Sequence, residues 1–227
     1  MNISCVALVP MRHESVRVPQ KNYRLFDGKP LFHHILNTLR ACPSVTNVVI
    51  DTNSPVIEQE AKQHFPEVQI IERPESLCAD TIPMNEILLH DIEQVKAEVY
   101  LQTHSTNPLL TAESIEKAIA LYKDSIPKYD SLFSVTRLQS RLWDKHARPI
   151  NHNPKALLRT QDLEPLFEEN SCFYLFSEKS LIENKNRIGR NPLQYELDRI
   201  EAIDIDEETD FQLAELLFKA SLQNTAL

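Results

Sequence analysis

An α/β fold with a mostly parallel sheet flanked by helices is predicted by three observations. Apolar runs alternate with helix-period segments, the signature of repeated β-α units. The 227 residues suffice for one large domain with a core and would crowd two. Neither an internal repeat nor a low-complexity linker divides them.

Ile3 to Val9 reads as a buried strand and Leu31 to Leu39 as a helix, from apolar residues at helical spacing. Val45 to Ile50 is the second strand. Ser54-Pro55 then starts a helix that runs to about His64. Val68 to Ile71 is the third strand, Met84 to Val95 the next helix and Val99 to Leu101 a short strand. Thr111 caps a helix with Glu113 to Tyr122 behind it. Ser131 to Val135 is a strand. Arg137 to about Glu168, rich in Pro, Asn, His and Arg, loses all period and reads as an arm inserted in a single domain spanning 1–227. Cys172 to Phe176 is a strand, Glu178 to Glu183 a short helix, Ile200 to Ile205 a final strand and Glu207 to Leu217 the closing helix.

The composition, 42% apolar and 25% charged, is that of a globular protein. No run of about 18 apolar residues is present, so no membrane span is expected. Met1 to Pro10 lacks a basic leader and meets Arg12 too early for a signal peptide, so a cytoplasmic protein is expected. Cys5, Cys42, Cys78 and Cys172 are scattered, which suggests buried thiols, not zinc or disulfides. A net charge of −9 argues against broad nucleic-acid binding. Any phosphate site must therefore be local.

The segment Pro10 to Asn22 carries Arg12, Arg17 and Lys21 directly after the first strand, where open α/β sheets bind ligands. Such a cluster suits a triphosphate, or is a solvated basic loop. Neither a Walker loop nor GxGxxG is present. At the other end, Asp204 and Asp206 are two apart, so both carboxylates share one face while Ile203 and Ile205 take the other. That pattern suits a magnesium ion, though acids ahead of a helix also serve as caps.

The opening segment resembles the R-x-x-S-x-R-x-P-x-K-N signature of the acylneuraminate cytidylyltransferase family through Arg12, Ser15, Arg17, Pro19, Lys21 and Asn22. Gly28-Lys29-Pro30-Leu31, Arg73-Pro74-Glu75-Ser76-Leu77 with Asp80-Thr81, Leu101-Gln102 with Asn107-Pro108-Leu109, Arg159 to Leu163, Glu169-Asn170, Arg187-Ile188-Gly189 and Ile203 to Asp206 continue the resemblance in the family's order. It implies a nucleotide-diphospho-sugar transferase-like fold, usually dimeric through an inserted arm. It also implies a reaction in which an acidic keto-sugar attacks the α-phosphate of CTP, giving CMP-sugar and pyrophosphate. Arg12, Lys21, Asp204 and Asp206 would be catalytic, with Mg2+ on the two acids. Arg12, Ser15, Lys21, Asn22, Arg73 and Asp80 would hold nucleotide. Gln102 and Asn170 would face the sugar, and Arg159 its carboxylate, for which a guanidinium fork is the right shape.

The chain departs from the family pattern at three places. His13 and Glu14 stand where two glycines are common. Ile82-Pro83-Met84 replaces the Ser-containing segment that reads cytosine, which leaves another nucleotide such as GTP as an alternative. The segment from Gln102 to Pro108 is one residue longer than usual, which alters the sugar pocket. A catalytically silent nucleotide- or sugar-binding relative is the rival from another class. His104 would meet the sugar or be a loop histidine, His33-His34 should put one member on a wet face, and Trp143 would anchor a dimer or pack locally. No general base is evident.

Overall fold

Residues 4–225 are described by the computed structural model, in which Cys5–Met11 form strand β1 with every side chain buried. A strand with no wet side needs helices on both faces of its sheet. A small hairpin follows, β2 (Leu25–Phe26) and β3 (Lys29–Pro30), turned by Asp27 and Gly28 at φ 47 and 77°. Positive φ at both positions is what a tight two-residue hairpin demands.

The chain then alternates. Helix α1 (Leu31–Arg40) precedes β4 (Val45–Thr52), α2 (Pro55–His64) precedes β5 (Gln69–Glu72), and α3 (Met84–Gln94) precedes β6 (Val99–Thr103). Helix α4 (Ala112–Ser125) leads to β7 (Ser131–Leu138), β8 (Leu166–Phe176), α5 (Glu178–Asn184), β9 (Pro192–Glu196) and α6 (Glu208–Thr225). The expected caps form: Ser54 Oγ accepts from Ile57 N, and Thr111 Oγ1 from Ser114 N.

The strands make one seven-stranded sheet in the order β5-β4-β1-β6-β8-β7-β9. All its pairings are parallel except those of β8, which runs antiparallel to β6 and β7. Strand β1 lies between β4 and β6, so the chain leaves it toward one edge and later returns on its other side. Loops diverging from such a switch point open a crevice at the carboxyl ends of the strands. One core lies under α1, α2 and α4, a second under α3 and α5, and a third joins Val18, Phe26 and Leu31 to Phe211 and Ala214 of α6.

Two expectations need correction. Ile200 to Ile205 is not a strand. Residues 199–202 form turns and 203–206 an extended run whose backbone bonds to loops: Ile205 N donates to Thr106 O, and Asn107 Nδ2 to Ile203 O. The alternation that suggested a strand survives, with Ile205 buried. The true last strand is β9, whose opening proline is tolerated at a strand's first position. The irregular arm is shorter than expected, 139–165, because Thr136 to Leu138 pair with Glu168 to Leu166 as extensions of β7 and β8. Ile3, expected to open the first strand, lies outside the described residues.

Smaller expectations resolve too. His33 is buried, while His34 is partly exposed, its Nε2 against Phe26 O and its ring on the wall of a surface pocket. All four cysteines are unpaired thiols. Among the described residues no helix is long and apolar enough to cross a membrane.

Gly189 fixes the turn into β9. Its φ is +71°, and an added Cβ would sit 2.5 Å from Asp130 Oδ1. That carboxylate cannot retreat without losing the amides of Arg190 and Asn191, which donate to it at 2.8 and 3.0 Å. Gly189→Ala is therefore expected to destabilise the fold by roughly 2–3 kcal/mol, read as a lower urea midpoint at unchanged slope. An unchanged midpoint would refute the clash.

Candidate active site

At the carboxyl end of β1 the chain enters residues 12–20, an irregular loop held by side chains where glycines were expected. His13 N donates to Asn53 Oδ1 at 2.8 Å, and its Nδ1 lies 2.7 Å from Ser54 Oγ. The ring also stacks on Tyr23. Asn22 Nδ2 donates to Arg12 O, and Asn22 Oδ1 accepts from Ser105 Oγ, both at 2.7 Å. Asn22 thus spends its amide on closing the loop and tying it to the segment after β6.

The loop walls a pocket of about 420 Å³ with the carboxyl-end segments of β5 and β6 and the run 203–206. Arg12, Ser15, Arg17, Lys21, Asn22, Arg73, Asp204 and Asp206 all line it. Arg17 Nη2 donates to Asp206 Oδ1 at 2.7 Å, and Lys21 Nζ is 3.6 Å from the same oxygen and donates to Ile205 O. The two chain ends therefore meet.

Asp204 is the more buried acid. Burial raises its pKa, a side-chain hydrogen bond with Thr106 opposes that, and nearby Asp206 reinforces it. Its Oδ1 is buried without a hydrogen-bond partner. Capping of α6 falls instead to Asp210, whose Oδ2 accepts from Asp206 N and Glu207 N. An orphaned carboxylate oxygen, two residues from a second acid on the same wall, fits a hard divalent cation completed by water and phosphate oxygens.

Of the other expected site residues, Asp80 pairs with Arg12 on the exposed rim and is not part of the pocket wall. Arg73 is buried and bound to Asp51. Arg159 is not brought to the pocket: it lies in the 139–165 connection, exposed and forked onto Asp162 at 2.7 and 2.9 Å. Asn170 does not line the pocket either. Its Oδ1 accepts from Ser134 Oγ and Cys172 N while Nδ2 donates to Thr136 Oγ1, which holds the bulge at Ser171, φ +58°. The bulge turns Ser171 to the pocket in its stead.

Residues 6–224 match the sequence profile of the Cytidylyltransferase family. The chain belongs to that family. It is 29% identical over 226 residues to CMP-N,N'-diacetyllegionaminic acid synthase of Legionella pneumophila, covering 94% of this chain and 96% of that protein. It is 23% identical to the N-acylneuraminate cytidylyltransferase of Escherichia coli, of which it spans about half, 52%, with 94% of its own length. Among solved structures, CMP:2-keto-3-deoxy-manno-octonic acid synthetase complexed with CTP superposes at a TM-score of 0.71, with 14% identity, over 96% of this chain and 99% of that one. The relatives bear out the acylneuraminate resemblance drawn from the motifs, and the neighbour shows the nucleotidyltransferase fold.

Within this cytidylyltransferase fold, Gln102 and His104, both singled out in the sequence, join Arg187 in a second cluster beside the pocket, and the role of Arg187 is what sequence reasoning missed. Gln102, fully buried on β6, accepts from Arg187 Nη1 and directs Nε2 at His104 Nε2, 3.0 Å away. A nitrogen that accepts from an amide carries no proton, and burial, then Arg187 and Lys21, push the His104 pKa down to about 3. Arg187 lies 3.6 Å over the Tyr174 ring. Burial lowers its pKa, and among the described residues no carboxylate oxygen forms a salt bridge with it. A half-sequestered guanidinium with no anion in direct contact, only the more distant charge of Glu169, is an incomplete pair. The available signal was Arg187-Ile188-Gly189, an arginine fixed beside one of only two glycines in the chain.

Proposed function

We propose that this chain transfers the cytidylyl group of CTP to an acidic keto-sugar of the nonulosonic type, releasing pyrophosphate. The observation that carries this reading is the meeting of Arg17 and Lys21 with Asp206 around a pocket into which Asp204 holds an unpartnered oxygen. Arg12, Arg17 and Lys21 would neutralise the triphosphate, with Ser15 and Arg73 on the nucleotide, Asn22 holding the loop that presents them and Asp80 orienting Arg12. Asp204 and Asp206 would hold Mg2+, which when bound polarises the phosphoryl oxygens and adds positive charge at the leaving pyrophosphate. Transfer of this kind depends on alignment and charge neutralisation, which preset side chains supply at the moment of reaction.

On the sugar side, neutral His104 offers a hydrogen bond, and Arg187, held by the buried Gln102, supplies the cation for the acid group. Neutral His104, whose Nε2 lone pair is taken by Gln102, is left with Nδ1–H as a donor and is not a base for the attacking hydroxyl. Arg159 and Asn170 keep a part in this reading only through a partner copy and through the bulge, respectively. The single domain, 1–227, would dimerise through its 139–165 arm. Exposed Trp143, Ile150, Leu157 and Leu158 on that arm support a homodimer. Sedimentation at twice the 26.2 kDa chain mass is the expected result, and a monomer at micromolar concentration would refute it. Unpaired cysteines fit a reducing cytoplasm. Cell fractionation reads that assignment.

The test of function is pyrophosphate release with each of four nucleoside triphosphates and a panel of nonulosonic acids. CTP should be preferred. Ile82 and Met84 present an apolar wall with no fixed donor pattern, so equal turnover with GTP would replace the base assignment. Nucleotide binding without pyrophosphate release for any sugar would make the chain a silent binder.

A further inference from the structure

Helix α3 buries Asp91 on the face it shares with Leu88 and Ile92, at 1% exposure. An acid there meets Asp51 of β4, equally buried, whose Oδ1 accepts from Arg73 Nε and whose backbone O accepts from Arg73 Nη2 at 3.3 Å. His90 Nδ1 is 3.5 Å from Asp91 Oδ1 and 3.8 Å from Asp51 Oδ2, with no hydrogen bond formed. Asp51 Oδ2 and both Asp91 oxygens are buried without partners. These facing groups come from β4, the segment after β5 and α3 itself.

Two carboxylates against one guanidinium leave a buried excess of negative charge, which an apolar core penalises strongly. One proton held between them removes the excess and fills orphaned oxygens on both. We propose that Asp91 is a positioning residue of the nucleotide site: as a neutral carboxylic acid it donates to Asp51, and so fixes the carboxylate that orients Arg73 on the pocket wall. Burial, then the charge of Asp51 and the hydrogen bond with it, hold the Asp91 proton up to about pH 9. A divalent cation on Asp51, His90 and Asp91 is the competing occupant, since their ligand atoms lie within 4.8 Å of one another. The Arg73 guanidinium on the same carboxylate opposes it.

The inference rests on the reading that Arg73 faces nucleotide. Its test compares the unaltered chain with Asp91→Asn, Asp91→Leu and Arg73→Ala, by calorimetric titration of CTP from pH 7.5 to 9.5, melting temperature over the same range, and metal content after purification. A carboxyl with a raised folded pKa favours the fold below its unfolded pKa and loses that contribution as pH climbs through the folded value. The unaltered chain should therefore melt lower, and bind CTP roughly tenfold more weakly, at pH 9.5 than at pH 7.5. Asp91→Asn should be flat in both, because its amide donates at every pH, and Asp91→Leu should bind weakly throughout. The same pH profile in Asp91→Asn as in the unaltered chain would overturn the role of Asp91. So would one equivalent of tightly held metal that Asp91→Asn loses. Unaltered CTP affinity in Arg73→Ala would overturn the nucleotide reading of Arg73 itself, a failure separable from the other two.

Discussion

Asp206→Ala should lower kcat by about a thousandfold or more while leaving the fold intact. The carboxylate is asked to do two things at once, to anchor Arg17 and Lys21 and to complete a cation site with Asp204. Losing a divalent Lewis acid removes several kcal/mol of transition-state stabilisation, and each 1.4 kcal/mol is about tenfold in rate. The folded state loses far less. Asp206 is 46% exposed, and ion pairs so exposed are worth about 1 kcal/mol at most. Turnover titrated with magnesium, alongside the melting temperature, separates the two effects. A near-normal rate at saturating magnesium would remove the metal assignment.

Arg187→Met should raise the KM for the acidic sugar by about a hundredfold and leave the KM for CTP unchanged. Methionine keeps an apolar stem against Tyr174, so the packing of β8 survives while the charge and the hydrogen bond to Gln102 are withdrawn together. A charged hydrogen-bonded pair in a desolvated site is worth about 2–3 kcal/mol, which sets the size of the effect. Lysine at this position should recover only part of the loss, because a point charge lacks the planar fork. Steady-state kinetics with each substrate varied in turn decides it. If both KM values rise together, Arg187 is holding the pocket's shape and not an acid group.

Most of the fold was legible because its signals are local. Buried runs such as Cys5–Met11, the caps at Ser54 and Thr111, and the period of α4 each determine their own conformation. The errors came where conformation is settled by distant partners. Ile203 to Asp206 has the alternation of a strand, yet Thr106, Asn107 and Lys21 take its backbone groups, and no ladder remains for it. Strand β9 alternates as well, but it is short and opens with proline, a residue usually read as a stop.

The site followed the same division. The basic loop and the acid pair could be read because each is compact in sequence and the switch-point rule says where the loop must lie. Arg187, Tyr174 and Asp91 could not. Their meaning depends on what lies opposite: a ring under a guanidinium, and a second carboxylate facing a buried acid. Arg159 and Asn170 were the reverse case, the right residue types in the right order with their polar atoms already taken by Asp162 and by Ser134, Thr136 and Cys172.

Arg17 and Asp206 are 189 positions apart, yet they grip one another directly. The segment bearing Asp206 is held in turn by the last helix, through Phe211 and Ala214 against Phe26 and Leu31 and through the pairing of Glu208 with Arg24. Helix α6 is thus the clamp that holds the acidic wall of the cleft against the basic one.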